Sequence, residues 1–153
     1  METAWKKYEG NKVKAVMDFS EDYKKFLDES KTERESVDTT IALAKKAGFK
    51  DFKTVKSIKA GDKIYFNNRG KNIALFVIGK NPIEKGMNIL GAHIDSPRVD
   101  VKQNPLYEDN GLVLMDTHYY GGIKKYQWVA HPMALHGVVC KKDGKTVEVK
   151  IGE

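Results

Sequence analysis

The chain's polarity pattern changes character twice, and each change predicts a different kind of element. In the first third, Phe19, Tyr23, Phe26 and Leu27 recur at helical spacing and form one apolar stripe. Ser20 is the N-cap candidate for that helix. A second helix is announced by Thr32-Glu33-Arg34-Glu35, the Thr-x-x-Glu form of a capping box. Val37, Ile41, Ala44 and Leu43 supply its apolar face, and Gly48 sits where a left-handed residue would end it.

From residue 63 the period shortens. Lys63-Ile64-Tyr65-Phe66 and Ile73 to Ile78 read as strands joined by a turn at Asn67-Asn68-Arg69-Gly70. Asn81-Pro82 breaks the pattern. Met87 to Ala92 is nearly all apolar, which predicts a short strand buried on both faces. Val99 and Val101 alternate with Asp100 and Lys102, predicting a strand with one wet face. Asn104-Pro105-Leu106-Tyr107-Glu108-Asp109-Asn110-Gly111 is rich in turn formers and marks a boundary. Beyond it the chain reads as all-β. Leu112 to Met115 is one strand, and Leu135 to Cys140 with Thr146 to Ile151 form a hairpin around Lys142-Asp143-Gly144-Lys145. The chain stops at Glu153 just after a strand-like alternation, so the outermost strand is expected to present an open edge.

Totals narrow the function classes. At 153 residues the chain is long enough for one domain with a core. Its 41% apolar and 31% charged residues fit a water-facing protein. The apolar run Ile73 to Ile78 is far too short to span a bilayer. Met1 to Lys7 lacks the apolar centre of a signal peptide. Cys140 is the one cysteine, which excludes an intrachain disulfide. A cytoplasmic location without membrane partners is therefore expected. The net charge of +6 raises the question of nucleic acid. The lysines are scattered beside acids, as in Glu21-Asp22-Tyr23-Lys24-Lys25, and no nucleic-acid motif occurs. A solvated basic surface is the reading, not a nucleic-acid interface.

Candidate chemistry concentrates in Ile89-Leu90-Gly91-Ala92-His93-Ile94-Asp95-Ser96-Pro97. In an extended segment, residues i and i+2 face the same side. That places His93 and Asp95 together at the mouth of the expected strand. A metal-binding imidazole usually has its second nitrogen held by a carboxylate, which fixes its tautomer. His93 alone could equally be a packed core histidine, and Asp95-Ser96-Pro97 could simply open a turn. His118, His131 and His136 show no ligand spacing. Asp18, Glu21 and Asp22 read as a solvated helix face. No His-Glu-x-x-His, Cys-x-x-Cys or phosphate loop is present.

Several stretches together resemble the aspartyl aminopeptidase family of metallopeptidases. They are Gly91-Ala92-His93-Ile94-Asp95-Ser96-Pro97-Arg98, Asn104-Pro105-Leu106-Tyr107-Glu108-Asp109, and Thr117-His118-Tyr119-Tyr120-Gly121-Gly122-Ile123-Lys124-Lys125-Tyr126-Gln127-Trp128. Phe26-Leu27, Lys31-Thr32-Glu33-Arg34-Glu35 and Ala47-Gly48-Phe49 resemble that family's opening helices, so the resemblance runs over nearly the whole chain. It implies an α/β zinc-exopeptidase-like sandwich interrupted by an inserted β-rich dimerisation domain. Residues 1–104 would be the N-terminal part of the catalytic domain, and 105–153 the first strands of the insert. It implies a zinc aminopeptidase with two Zn²⁺ per complete site, acting on peptides with acidic or neutral N-terminal residues, and homo-oligomers built through the insert. By the resemblance His93 is a metal ligand and Asp95 the catalytic-site group that orients it. The further ligands and the general base lie downstream in the family, so the isolated chain is expected to be inactive. A non-catalytic assembly or regulatory module derived from the same fold is the alternative.

Overall fold

The computed structural model describes residues 2–153, which divide into two compact units, one ending at Ile94 and one spanning Asp95–Glu153.

The first unit opens with a short helix, α1 (Ala4–Lys7), and a long one, α2 (Asn11–Asp28). Helix α2 starts well before the expected cap. Ser20 lies mid-helix, and its hydroxyl donates to the Val16 carbonyl four residues back, at 2.9 Å. That bond is the usual use of a serine inside a helix, where it cannot cap. Of the apolar stripe only Phe26 is half-buried; Phe19, Tyr23 and Leu27 are exposed. Surface pairs one turn apart, Lys14–Asp18 at 2.6 Å and Lys24–Glu21 at 2.7 Å, add a few tenths of a kcal/mol each, about 0.2–0.5.

Helix α3 (Glu33–Lys46) has both ends closed as its sequence predicts. The Glu35 N–H donates to the Thr32 hydroxyl, and the Thr32 N–H donates to the Glu35 carboxylate at 3.0 Å, a reciprocal capping box. At the other end Gly48 adopts φ +86°, while Phe49 N–H donates to Ala44 O and Gly48 N–H to Lys45 O. This is a Schellman stop, and it needs a residue that tolerates positive φ. The Lys63 ammonium donates to the Ala47 carbonyl at 3.1 Å, adding positive charge at the negative end of the helix.

Helix α3 packs on a three-stranded sheet, order β1-β2-β3: β1 (Lys50–Asp51), β2 (Lys63–Asn68) and β3 (Asn72–Val77). The β2–β3 hairpin matches the expected one, with Arg69 and Gly70 at positive φ in its turn. The two-residue β1, parallel to β2, was too short to leave a pattern in the sequence. Val37, Ala44, Ile64 and Tyr65 form the core. Ile64 and Tyr65 are adjacent and face opposite sides, so β2 is covered on both faces at that point.

The expected strand Met87–Ala92 does not form. Residues 86–97 are irregular, and Leu90 is 99% and Ile89 79% exposed. A strand exists only by hydrogen bonding to a neighbour, and among the described residues none pairs with this segment. An apolar run reports what a segment would bury, not whether its partner is in the chain.

The second unit is all-β. Strand β4 (Arg98–Asp109) pairs antiparallel with β5 (Leu112–Tyr120), and β6 (Leu135–Cys140) pairs with β7 (Thr146–Ile151). The turn-former cluster at 104–111 proves to be two devices. Asn110-Gly111 is a two-residue hairpin turn with both φ positive, 51° and 76°. Asn104-Pro105, with Asn104 at φ 52°, sits in a bulge where the register shifts between Val101 and Leu106, so β4 continues through it. The one wet face expected around Val99–Lys102 is not seen either. Val99 and Asp100 are both half-buried, and Val101 and Lys102 are both exposed. The β6–β7 hairpin has the expected strands and turn, with Gly144 at φ 81°.

Candidate functional site

His93 lies in the irregular segment at the end of the first unit and is exposed, not seated at the mouth of an internal strand as its sequence context suggests. Asp95 opens the second unit and is half-buried. The Tyr120 hydroxyl donates to Asp95 Oδ2 at 2.6 Å, a short hydrogen bond. Tyr120 is the last residue of β5, and the register sets it opposite Arg98, the first residue of β4. The Arg98 guanidinium lies over the Tyr120 ring, 4.2 Å from its centre. Arg98 Nε in turn donates to Asp100 Oδ1 at 2.7 Å. Just after the ring, Gly121 turns at φ +74°, and a Cβ there would meet Pro97 Cα at 3.5 Å. The strand register thus builds a small polar assembly around the expected orienting carboxylate.

Sequence reasoning missed Tyr120 and Arg98 as members of this assembly. Both stand in the quoted motifs, but only the β4–β5 register shows that they face each other.

The other histidines belong to the second unit. His118 is on β5 opposite Asp100, with Nδ1 3.2 Å from the Tyr119 carbonyl. His131 is in the irregular stretch before β6. His136 is on β6, its Nε2 3.0 Å from Glu153 Oε1. Among the described residues no three His, Cys, Asp or Glu converge to hold a metal. A catalytic zinc takes three protein ligands and a water. The described residues do not make such a site.

The family model described as Aminopeptidase I zinc metalloprotease (M18) matches residues 26–152. The chain belongs to the M18 aminopeptidase family. A probable M18 family aminopeptidase 1 of Clostridium acetobutylicum is 52% identical over 154 residues, covering 98% of this chain and 33% of the relative. The crystal structure of aminopeptidase I from Borrelia burgdorferi B31 superposes with a TM-score of 0.93 at 45% identity, over 99% of this chain and 37% of that one. The S. cerevisiae mApe1 dodecamer matches with a TM-score of 0.74 at 25% identity, over 90% of this chain and 34% of that one. The chain therefore spans about a third of the length of the M18 relatives it matches. Its mixed α/β architecture is the one those M18 structures share over this portion. M18 members are aminopeptidases, hence hydrolases, and the family description names zinc. No described helix is long and apolar enough to cross a membrane.

Proposed function

We propose that this chain contributes one metal ligand, His93, and its orienting carboxylate, Asp95, to a zinc-dependent aminopeptidase that releases N-terminal residues from peptides. The observation that carries the reading is the family match over residues 26–152, which includes the His93-x-Asp95 motif. When bound, zinc would supply Lewis-acid chemistry to such a site, polarising a carbonyl and lowering the pKa of a water. Toward it, this chain would offer the His93 imidazole as a ligand, with Asp95 as the carboxylate that orients it. The count of two Zn²⁺ per complete site, the remaining ligands and the general base belong to the same reading. They are assigned to polypeptide beyond the portion matched here.

Residues 1–104 are read as part of the catalytic domain and 105–153 as the start of the β-rich insert. The all-β character of the second unit supports an insert of that kind. The dodecameric relative supports homo-oligomerisation, and the insert is its proposed interface. Names of the relatives as aminopeptidases weigh against a purely non-catalytic module. A peptide substrate in water, acidic or neutral at its N-terminus, and a cytoplasmic setting complete the proposal.

The test is a panel of chromogenic aminoacyl substrates, Asp and Glu against Leu and Ala, offered to the longest polypeptide that the gene encodes. The reading expects amino-terminal cleavage that a chelator stops and added Zn²⁺ restores. Cleavage indifferent to chelators, or none with any substrate, would overturn it.

A further inference from the structure

We infer that a basic cavity in the first unit is a binding site for a small anion that carries several phosphate groups. The cavity measures about 490 Å³ and is lined by residues between 47 and 64, from the stop of α3 to the start of β2. Lys50, Lys56, Lys59 and Lys63 line it against one acid among the described residues, Asp62. Over the whole chain 27 Lys and Arg face 21 Asp and Glu, so the local imbalance far exceeds the average one. None of these residues belongs to the proposed metal site.

The acid and one of the lysines are already engaged. Asp62 Oδ2 accepts the Lys59 N–H at 2.8 Å, which closes the turn into β2. Lys63 donates to the Ala47 carbonyl at 3.1 Å, and the Ala44 and Lys45 carbonyls accept from Phe49 and Gly48. The negative end of α3 is thereby offset where it borders the cavity. Lys50, Lys56 and Lys59 remain. Among the described residues no acid pairs with their ammonium groups, whereas Lys14, Lys24, Lys102 and Lys150 each pair with a carboxylate. Charges on a convex surface are screened from one another by water, but around a concave wall their fields add. An ammonium is a compact point charge suited to phosphate oxygens, and the Ser57 hydroxyl on the same wall can donate to another. The volume suits a small molecule better than a single ion. Among the described residues no aromatic ring lines it, so a nucleobase would gain no stacking there. Several phosphates on a compact frame match the charge, the size and the polarity together.

The experiment is a calorimetric titration of inorganic tripolyphosphate into the longest polypeptide that the gene encodes. One tripolyphosphate should bind per chain, more weakly as sodium chloride rises. The triple variant Lys50→Gln, Lys56→Gln, Lys59→Gln should lose affinity at least about 10-fold. Removing the same charge in the β6–β7 turn, with Lys141→Gln, Lys142→Gln, Lys145→Gln, should change it less than about 2-fold. All six side chains are exposed, so both variants should melt with the parent protein. If the cavity triple is nonetheless destabilised, Lys56→Gln alone should lose about 3-fold. Polyphosphate also binds divalent metals, an effect both triples share, so the difference between them reports the cavity. Inositol hexakisphosphate as a second probe tells a ring-borne from a linear phosphate ligand, and tighter binding of either supports the site. No binding of either probe, equal losses in the two triples, or orthophosphate binding as tightly as tripolyphosphate would overturn the inference. Tighter binding of a penta-glutamate peptide would assign the cavity to carboxylates and overturn it as well.

Discussion

At the scale of single residues, the chain separates groups that hold the fold from groups that are expected to act. Val37 is fully buried on the inner face of α3, and its side chain lies in a core of few residues. Val37→Ala should cost about 2 kcal/mol, seen as a lower denaturant midpoint, since little else can fill the space. Asp95 sits outside that core. Asp95→Ala should leave the far-ultraviolet circular dichroism unchanged while lowering metal affinity or turnover of the complete polypeptide about 10–100-fold. A collapse of secondary structure in that variant would instead make Asp95 a folding residue. The different expectations follow from burial. Removing Val37 empties a packed position, whereas removing Asp95 releases a tyrosine hydroxyl that water can satisfy.

At the scale of elements, local chemistry decided what the sequence could announce. Both ends of α3 are written in short-range residue choices, Thr32 with Glu35 at the start and Gly48 at the stop. Thr32→Ala should therefore cost about 1 kcal/mol, measured by thermal unfolding, while Asp18→Ala on the exposed face of α2 stays within about 0.5 kcal/mol. The hairpins β2–β3 and β6–β7 were legible for the same reason, since alternation and turn residues lie close together in the chain. Other features were not. Ser20 looks like a cap until the helix is seen to extend back to Asn11, because a serine can bond backward inside a helix as well as forward at its start. Asn104-Pro105 looks like the end of a strand, yet turn formers also make bulges, and only the β5 register tells the two apart. Met87–Ala92 looks like a buried strand, but a strand is a property of two segments, and its partner is not among the described residues. The site divides along the same line. His93 and Asp95 are two residues apart and could be read together; Tyr120 reaches Asp95 only through strand pairing.

At the scale of the whole molecule, the chain exposes apolar surface that a self-sufficient domain of this size would bury. Ile89, Leu90, Leu106, Leu112, Val113 and Val129 are all more than 60% exposed. Isolated, the 153-residue chain should associate in a concentration-dependent way, and sedimentation velocity should show species heavier than 17.3 kDa. A single monomeric boundary at high concentration would count against this. Under the proposed function the same expectation extends to activity, because one imidazole and one carboxylate cannot assemble a catalytic zinc site. The most direct measurement compares release of an N-terminal Asp or Leu chromophore, with added Zn²⁺, by three proteins. They are the isolated 153-residue chain, the longest polypeptide that the gene encodes, and that polypeptide carrying His93→Ala. The account predicts no turnover by the isolated chain, chelator-sensitive turnover by the complete polypeptide, and loss of most of that turnover in the variant. Robust, chelator-sensitive turnover by the isolated chain, or full activity in the His93→Ala protein, would contradict it.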